Sequence, residues 1–247
     1  TDAEDLSISS VLDVHPADAV GLSKQVGACL DSWQRFLRTY PENEKLPSFP
    51  IWSMEFKATY PYECDSLHRI ALQILRKRRG CFGRTLDTRL RRDVLARVPS
   101  YARAETDAFP LWKQAFIRQN RALYRRHKNW VDGWLPEIRR FPPSLQKLEW
   151  NCLDQERDIW KYVVQFRASG VRVKRPNTSP SLVAMTTTQI PIIAWERRYM
   201  TLRECARLQS MDDLPHLPTG VAGFKALGNA VNVRVVYLIL RNLLSAG

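Results

Sequence analysis

Apolar residues recur at helical spacing through the first part of the chain. Val20, Val26, Leu30, Trp33 and Leu37 fall on one face of a helix predicted over residues 17–40. Pro41, Pro47 and Pro50 then break the pattern. A second helix is predicted over residues 65–79, with Asp65 as N-cap and Leu67, Ile70, Ile74 and Leu75 on one face. A third, over residues 111–135, mixes Trp112, Phe116, Tyr124, Trp130 and Trp134 with arginines. At that spacing the aromatics read as core, although aromatics beside Arg also suit stacking on bases. The helical part ends at Phe141–Ser144, where two prolines intervene. Beyond it, "VVQFRASGVRVKRP" alternates and "SLVAMTTTQIPII" is strand-like, with Ser169-Gly170 as a turn, which predicts a small β-unit.

Helical spacing returns near the C-terminus. Thr201 and Glu204 form a capping box that opens a helix over residues 201–211. Leu202, Cys205, Leu208 and Met211 make one face, and Arg203 and Arg207 lie one turn apart on another. After a Pro- and Gly-bearing loop comes "LGNAV". Gly228 there permits a turn or close approach of a ligand, and Asn229 or Asn232 could cap a last helix over 233–244. That helix is apolar nearly all round and needs to be buried against something. It is interrupted by Arg234 and Arg241, and no membrane span is expected.

Composition sharpens this picture. The 247 residues carry a net charge of +13, from 38 Lys or Arg against 25 Asp or Glu, which favours a polyanionic partner. Between residues 69 and 103 stand eleven Lys or Arg and two acids, Asp87 and Asp93, a solvated basic face or a phosphate-contacting surface. Five scattered Cys, none in a CxxC pair, and four dispersed His suggest a reducing cytoplasm with no disulfide frame and no metal centre. The polar, acidic N-terminus does not read as a secretory signal.

In this order and at this spacing, "RYMTLRECARLQSMDD", "FKALGNAV" and the apolar terminal helix resemble the last two signature motifs of cytosine-C5 DNA methyltransferases. "QFRASGVRVKRPNTSPSLVAM" is similar to that family's DNA-reading loops. "LPSFPIWSMEF" and "FIRQNRALYRRHKNWVDGWL" resemble a helical insertion found in one branch of it. Departures are Met200 for a usual Leu, Met211-Asp212-Asp213 for Phe-Pro-Asp, Ser181-Leu182 for Thr-Leu or Thr-Ile, and Asn232 for Pro.

The resemblance implies an α+β fold in three parts. Residues 1–143 would be the helical part of a target-recognition region, and 144–194 a β-containing DNA-reading unit. Residues 195–247 would be C-terminal helices that dock on a Rossmann-like catalytic domain. It implies double-stranded DNA contacts from Arg167, Arg172, Lys174, Arg175, Thr186 and Thr187. Arg198, Arg203, Glu204 and Arg207 would brace the recognition region against the catalytic domain. Gly228, Asn229, Ala230 and Val231 would border S-adenosylmethionine.

No Cys here follows a Pro, as the family's nucleophile does. "GCFGR" sits in the wrong context for a cofactor-binding turn, "PENEK" lacks the Val of Glu-Asn-Val, and "QERD" falls short of Gln-x-Arg-x-Arg. The expectation is therefore a recognition subunit of a split enzyme in a bacterial or phage cytoplasm, with no catalytic residue of its own. A partner carrying the Pro-Cys motif would bind most of the cofactor, in restriction-modification or phage defence. The alternatives are a stand-alone DNA-binding regulator and, from Asp212-Asp213 or the acids at 154, 156 and 158, a nuclease.

Overall fold

The computed structural model describes residues 7–63, 65–105, 108–183 and 189–245. Among them the helices are α1 (Lys24–Thr39), α2 (Leu72–Arg76), α3 (Arg91–Ala96), α4 (Leu111–Ile138), α5 (Leu202–Leu208), α6 (Gly220–Asn229) and α7 (Val233–Ser245). The strands are short: β1 (Ile51–Trp52), β2 (Lys147–Trp150), β3 (Val163–Arg167), β4 (Gly170–Lys174), β5 (Ile192–Ile193) and β6 (Arg198–Tyr199). The chain thus mixes α and β, and it divides into two compact units. One takes the described residues up to Gln34 and those from Asn151 onward, and the other is Arg35–Trp150. This differs from the expected division at 143 and 194, because the residues before α1 fold with the C-terminal part.

The reason lies in how α1 begins. Helical spacing predicts a start near residue 17, but residues 20–22 run extended. Tyr199 N–H donates to Val20 O at 2.9 Å, and Leu22 N–H donates to Arg197 O at 3.0 Å. Backbone groups spent on β6 are not available to a helix. The helix starts only after Ser23, whose Oγ accepts the Val26 N–H at 3.3 Å.

In this first unit β4, β3, β5 and β6 pair antiparallel in that order. Gln165 lies opposite Arg172 and Phe166 opposite Val171. A strand's alternation then puts Val164, Phe166, Val171 and Val173 on one face, all buried. Of the expected strand "SLVAMTTTQIPII", Ile192–Ile193 alone is a strand among the described residues, and 184–188 lie outside them. Val163, Ile193, Met200, Cys205, Ala206 and Leu227 form a core with Ile8.

The second unit is built on the 28-residue α4. Phe36 packs on Trp130 and Trp134 with ring centroids 5.1 and 4.8 Å apart, so these aromatics are core, as their spacing suggests. Trp112, 56% exposed, is not. The helix predicted over 65–79 shrinks to α2. The Arg91 guanidinium takes the carbonyls of Leu67 and Ile70 at 2.6 and 2.8 Å, and Ala71 rather than Asp65 is the N-cap. Fully buried Glu55 is held by Arg121 Nε at 2.9 Å, by Tyr101 OH at 2.6 Å and by Tyr60 OH.

Residues 220–245 are together long and apolar enough to match a membrane span, more than Arg234 and Arg241 suggest. The backbone nevertheless breaks between Asn229 and Val233. The 13-residue α7 is about 20 Å long, short of the ~30 Å of a bilayer core.

Candidate nucleic-acid face and motif junction

Three neighbouring arrangements in the first unit hold most of the expected site residues. The first is a buried ion-pair hub at the start of α5. Thr201 Oγ1 accepts the Glu204 N–H at 3.2 Å, and Glu204 Oε2 accepts the Thr201 N–H at 2.7 Å, which closes the predicted capping box. The same carboxylate takes both terminal nitrogens of Arg198, each at 2.8 Å, in a bidentate fork. Glu204 Oε1 also accepts the Asp13 N–H at 2.9 Å. Burial alone would raise the Glu204 pKa, but Arg198 and the two backbone N–H groups outweigh it and hold the carboxyl below its ordinary value. The Glu204 hydrogen bond is likewise the largest cause that raises Arg198. Arg207 Nη1 reaches Asp13 Oδ1 at 2.6 Å and Val11 O at 3.2 Å. Arg203 Nη1 holds the Asp212 carbonyl at 2.9 Å. Within this chain, Arg198, Arg203, Glu204 and Arg207 hold the 11–13 segment and the loop after α5. Asp13 is the hub member that sequence reading missed, because nothing local marks it.

The second arrangement is the polar face of the β3–β4 hairpin. The register places Gln165, Arg167, Arg172 and Lys174 on the face opposite the buried valines. Arg167 Nε donates to Gln165 Oε1 at 2.5 Å and its Nη2 to Ser181 O at 3.0 Å. Gln165, fully buried, donates to Gln189 O at 2.8 Å. Arg167 is thus set by the loop that follows the hairpin, on both sides of residues 184–188. Arg175 is exposed just past β4, and its carbonyl accepts the Thr178 N–H at 3.1 Å in a turn. Thr186 and Thr187 lie outside the described residues.

The third is the junction of α5, α6 and α7. Gly228 and Asn229 are the last residues of α6 and Ala230 is its C-cap, so Gly228 makes no turn. Asn232, not Asn229, caps α7: its Oδ1 accepts the Val235 N–H at 3.0 Å, while its Nδ2 donates to Leu208 O at 2.9 Å. Gln209 Nε2 binds Leu227 O at 2.9 Å. The Asn that stands for the family's Pro therefore ties α7 to the end of α5. A cavity of about 630 Å³ opens beside it, lined by Ser10, Thr178, Leu182, Ser210, Asn232 and Leu238 among others. Gly228, Asn229, Ala230 and Val231 do not line it, and Val231 is 66% exposed. Asn229 is likewise exposed and Gly228 and Ala230 are half-buried, so the strip does not by itself enclose a cofactor. Alone these four do not fit S-adenosylmethionine, and they can supply no more than an edge of its pocket.

Cys29, Cys81, Cys152 and Cys205 are thiols outside any disulfide, and burial pushes each up to about 12, so none is poised as a thiolate nucleophile. Cys64 lies outside the described residues. The acids that could suggest a nuclease are engaged otherwise. Asp158 caps a turn, Glu156 pairs with Lys161, and Asp212 lies 3.8 Å from Arg207 Nε.

The family model for C-5 cytosine-specific DNA methylases matches residues 90–245. Over 141 residues, 55% of its length, the chain is 40% identical to the type II methyltransferase M.AluI of Cellulosimicrobium cellulans, and it spans 26% of that protein. No solved structure matches the chain significantly.

Proposed function

This chain belongs to the C-5 cytosine-specific DNA methylase family, and from that premise we propose that it is the DNA-recognition part of a cytosine-C5 methyltransferase. In this reading a partner polypeptide supplies the S-adenosylmethionine site and the Pro-Cys thiolate. The observation that carries it is the β3–β4 hairpin, which sets Arg167, Arg172 and Lys174 on one face over an apolar one. Arginine forks on a strand face suit phosphates and guanine edges of duplex DNA. Arg175, Thr186 and Thr187 would extend that contact.

The exposed side of α7 supports the second half of the reading. Val235, Tyr237, Ile239, Leu240 and Leu243 are 50–67% exposed, an apolar surface that calls for a covering domain. We assign its occupant as the cofactor-binding domain, with residues 228–231 at the border of the cofactor pocket. S-adenosylmethionine would supply the methyl group there.

Purification from source cells followed by native mass measurement tests this. A stoichiometric partner with a Pro-Cys motif, whose mixture with this chain transfers labelled methyl to DNA cytosine, is the expected result. Turnover by the 247 residues alone would overturn it. A lone monomer that binds duplex DNA would favour a stand-alone regulator instead.

A further inference from the structure

The "GCFGR" segment, which fits no cofactor turn, forms one wall of a pocket of about 370 Å³ inside the second unit. Its cationic lining is Arg84, Arg97, Arg103, Arg139 and Lys147. No acidic residue lines it, and among the described residues no carboxylate pairs with any of the five. The apolar lining includes Met54, Phe82, Val98 and Tyr101.

The cations are positioned by neutral groups. Arg97 Nη1 donates to Thr85 O at 2.8 Å, and Arg103 Nη2 to Val98 O at 2.9 Å. Carbonyls fix the forks without neutralising them. The Arg139 guanidinium lies 5.5 Å from the Phe82 ring, and Lys147 Nζ lies 5.5 Å from the Tyr101 ring. Burial lowers the Lys147 pKa, the mark of an ammonium without a counter-charge. The wall is also strained. Phe82 is left-handed at φ 53°, which a bulky side chain rarely adopts. Beside it, a Cβ on Gly80 would come within 2.1 Å of Arg97 O, so only glycine lets the turn at Gly80 approach the end of α3 this closely. Five like charges around one apolar pocket repel one another until an anion enters.

We propose that this pocket binds one nucleotide, its phosphate held by the arginines and its base against Phe82 and Tyr101. A pocket of this volume holds a ligand of that size, and aromatic rings accept any base by stacking. The nucleotide comes either from the DNA strand or from the free pool. The strand source rests on the DNA-recognition reading, and the free source does not.

The test is calorimetric titration of the 247-residue chain with deoxyadenosine monophosphate, deoxyadenosine, inorganic phosphate and a 20-base-pair duplex. The variant is Arg84→Gln with Arg139→Gln, both exposed, with circular dichroism as the folding control. The monophosphate should bind saturably at one site, more tightly than the nucleoside or phosphate alone. The double variant should weaken it at least tenfold. If the variant also weakens duplex binding and the monophosphate competes with duplex, the strand is the source. If duplex binding is unchanged, the source is the free nucleotide. No saturable monophosphate binding, or binding that the variant leaves unchanged, overturns the proposal. A wild-type chain that fails to bind duplex overturns the recognition reading instead.

Discussion

Replacing Glu204 with Gln isolates the hub. Gln keeps the volume and one acceptor for the capping N–H, but it takes the bidentate carboxylate from the buried Arg198 guanidinium, whose remaining carboxylate partner is Glu196, on its Nε at 2.6 Å. Arg198 is 5% exposed and Glu204 0%. Removing one partner of a buried pair costs about 3–5 kcal/mol when the remaining charge is left unpaired, and Glu196, which still pairs with Arg198, puts the expected loss at the low end, about 3 kcal/mol. That corresponds to a fall of roughly 10 °C in melting temperature for a unit of this size. Urea unfolding followed by circular dichroism at pH 7 measures it. The pH dependence adds a sign. Because the native pKa of Glu204 is depressed, its stabilisation is present above the ordinary glutamate value of about 4.3 and is lost as pH falls through the lower native value. The wild-type advantage over Glu204→Gln should therefore narrow as pH drops below about 5. A loss under 1 kcal/mol at pH 7, or a gap that stays constant down to pH 3, would refute the reasoning.

Three further outcomes follow from the other elements. Arg172→Gln with Lys174→Gln should weaken duplex binding and flatten the slope of log affinity against log salt by about 0.9 per lost phosphate contact; an unchanged slope in filter binding would remove that face from the DNA. Asn232→Ala should destabilise α7 by about 0.5–2 kcal/mol through loss of its cap, seen as faster hydrogen exchange at Val235 and Val236 with the β3–β4 hairpin unaffected. Iodoacetamide at pH 8 should leave Cys29, Cys152 and Cys205 unlabelled in the native chain, since their thiols lie near 12 and are buried; rapid native labelling at any of the three, mapped by peptide mass, would contradict the packing around it.

Local signals were legible where the decision was local. The Thr201–Glu204 capping box, the aromatic spacing of α4 and the alternation of β3 and β4 are all settled within a few residues, and each formed as its pattern predicts. Where distant groups compete for the backbone, the pattern misleads. Residues 17–23 have helical spacing, yet β6 takes their N–H and carbonyl groups from about 175 positions away. Residues 65–71 have a helical face, yet Arg91 claims two of their carbonyls. The junction was half legible. That Asn232 could cap was visible, but its second bond, to Leu208 O, depends on how α5 meets α7.

The hub and the junction together explain why two short motifs sit where they do. Helix α5 has seven residues, too few to hold a conformation in isolation. Its N-terminus is fixed by Glu204 and Arg198 to the 11–13 segment, and its C-terminus by Gln209 and Asn232 to α6 and α7. It is thereby a rigid strut, with the hairpin carrying Arg167, Arg172 and Lys174 in the same unit as its first end and exposed α7 at its other end. A strut of this kind transmits position and needs no chemistry of its own. Arg198 and Glu204 are consumed by their mutual fork and by backbone ties, and they are buried and unavailable to any substrate. On the proposed function, a variant that loosens Asn232 should accordingly impair coupling to the proposed cofactor-binding domain without weakening duplex affinity, whereas Arg172→Gln should do the reverse.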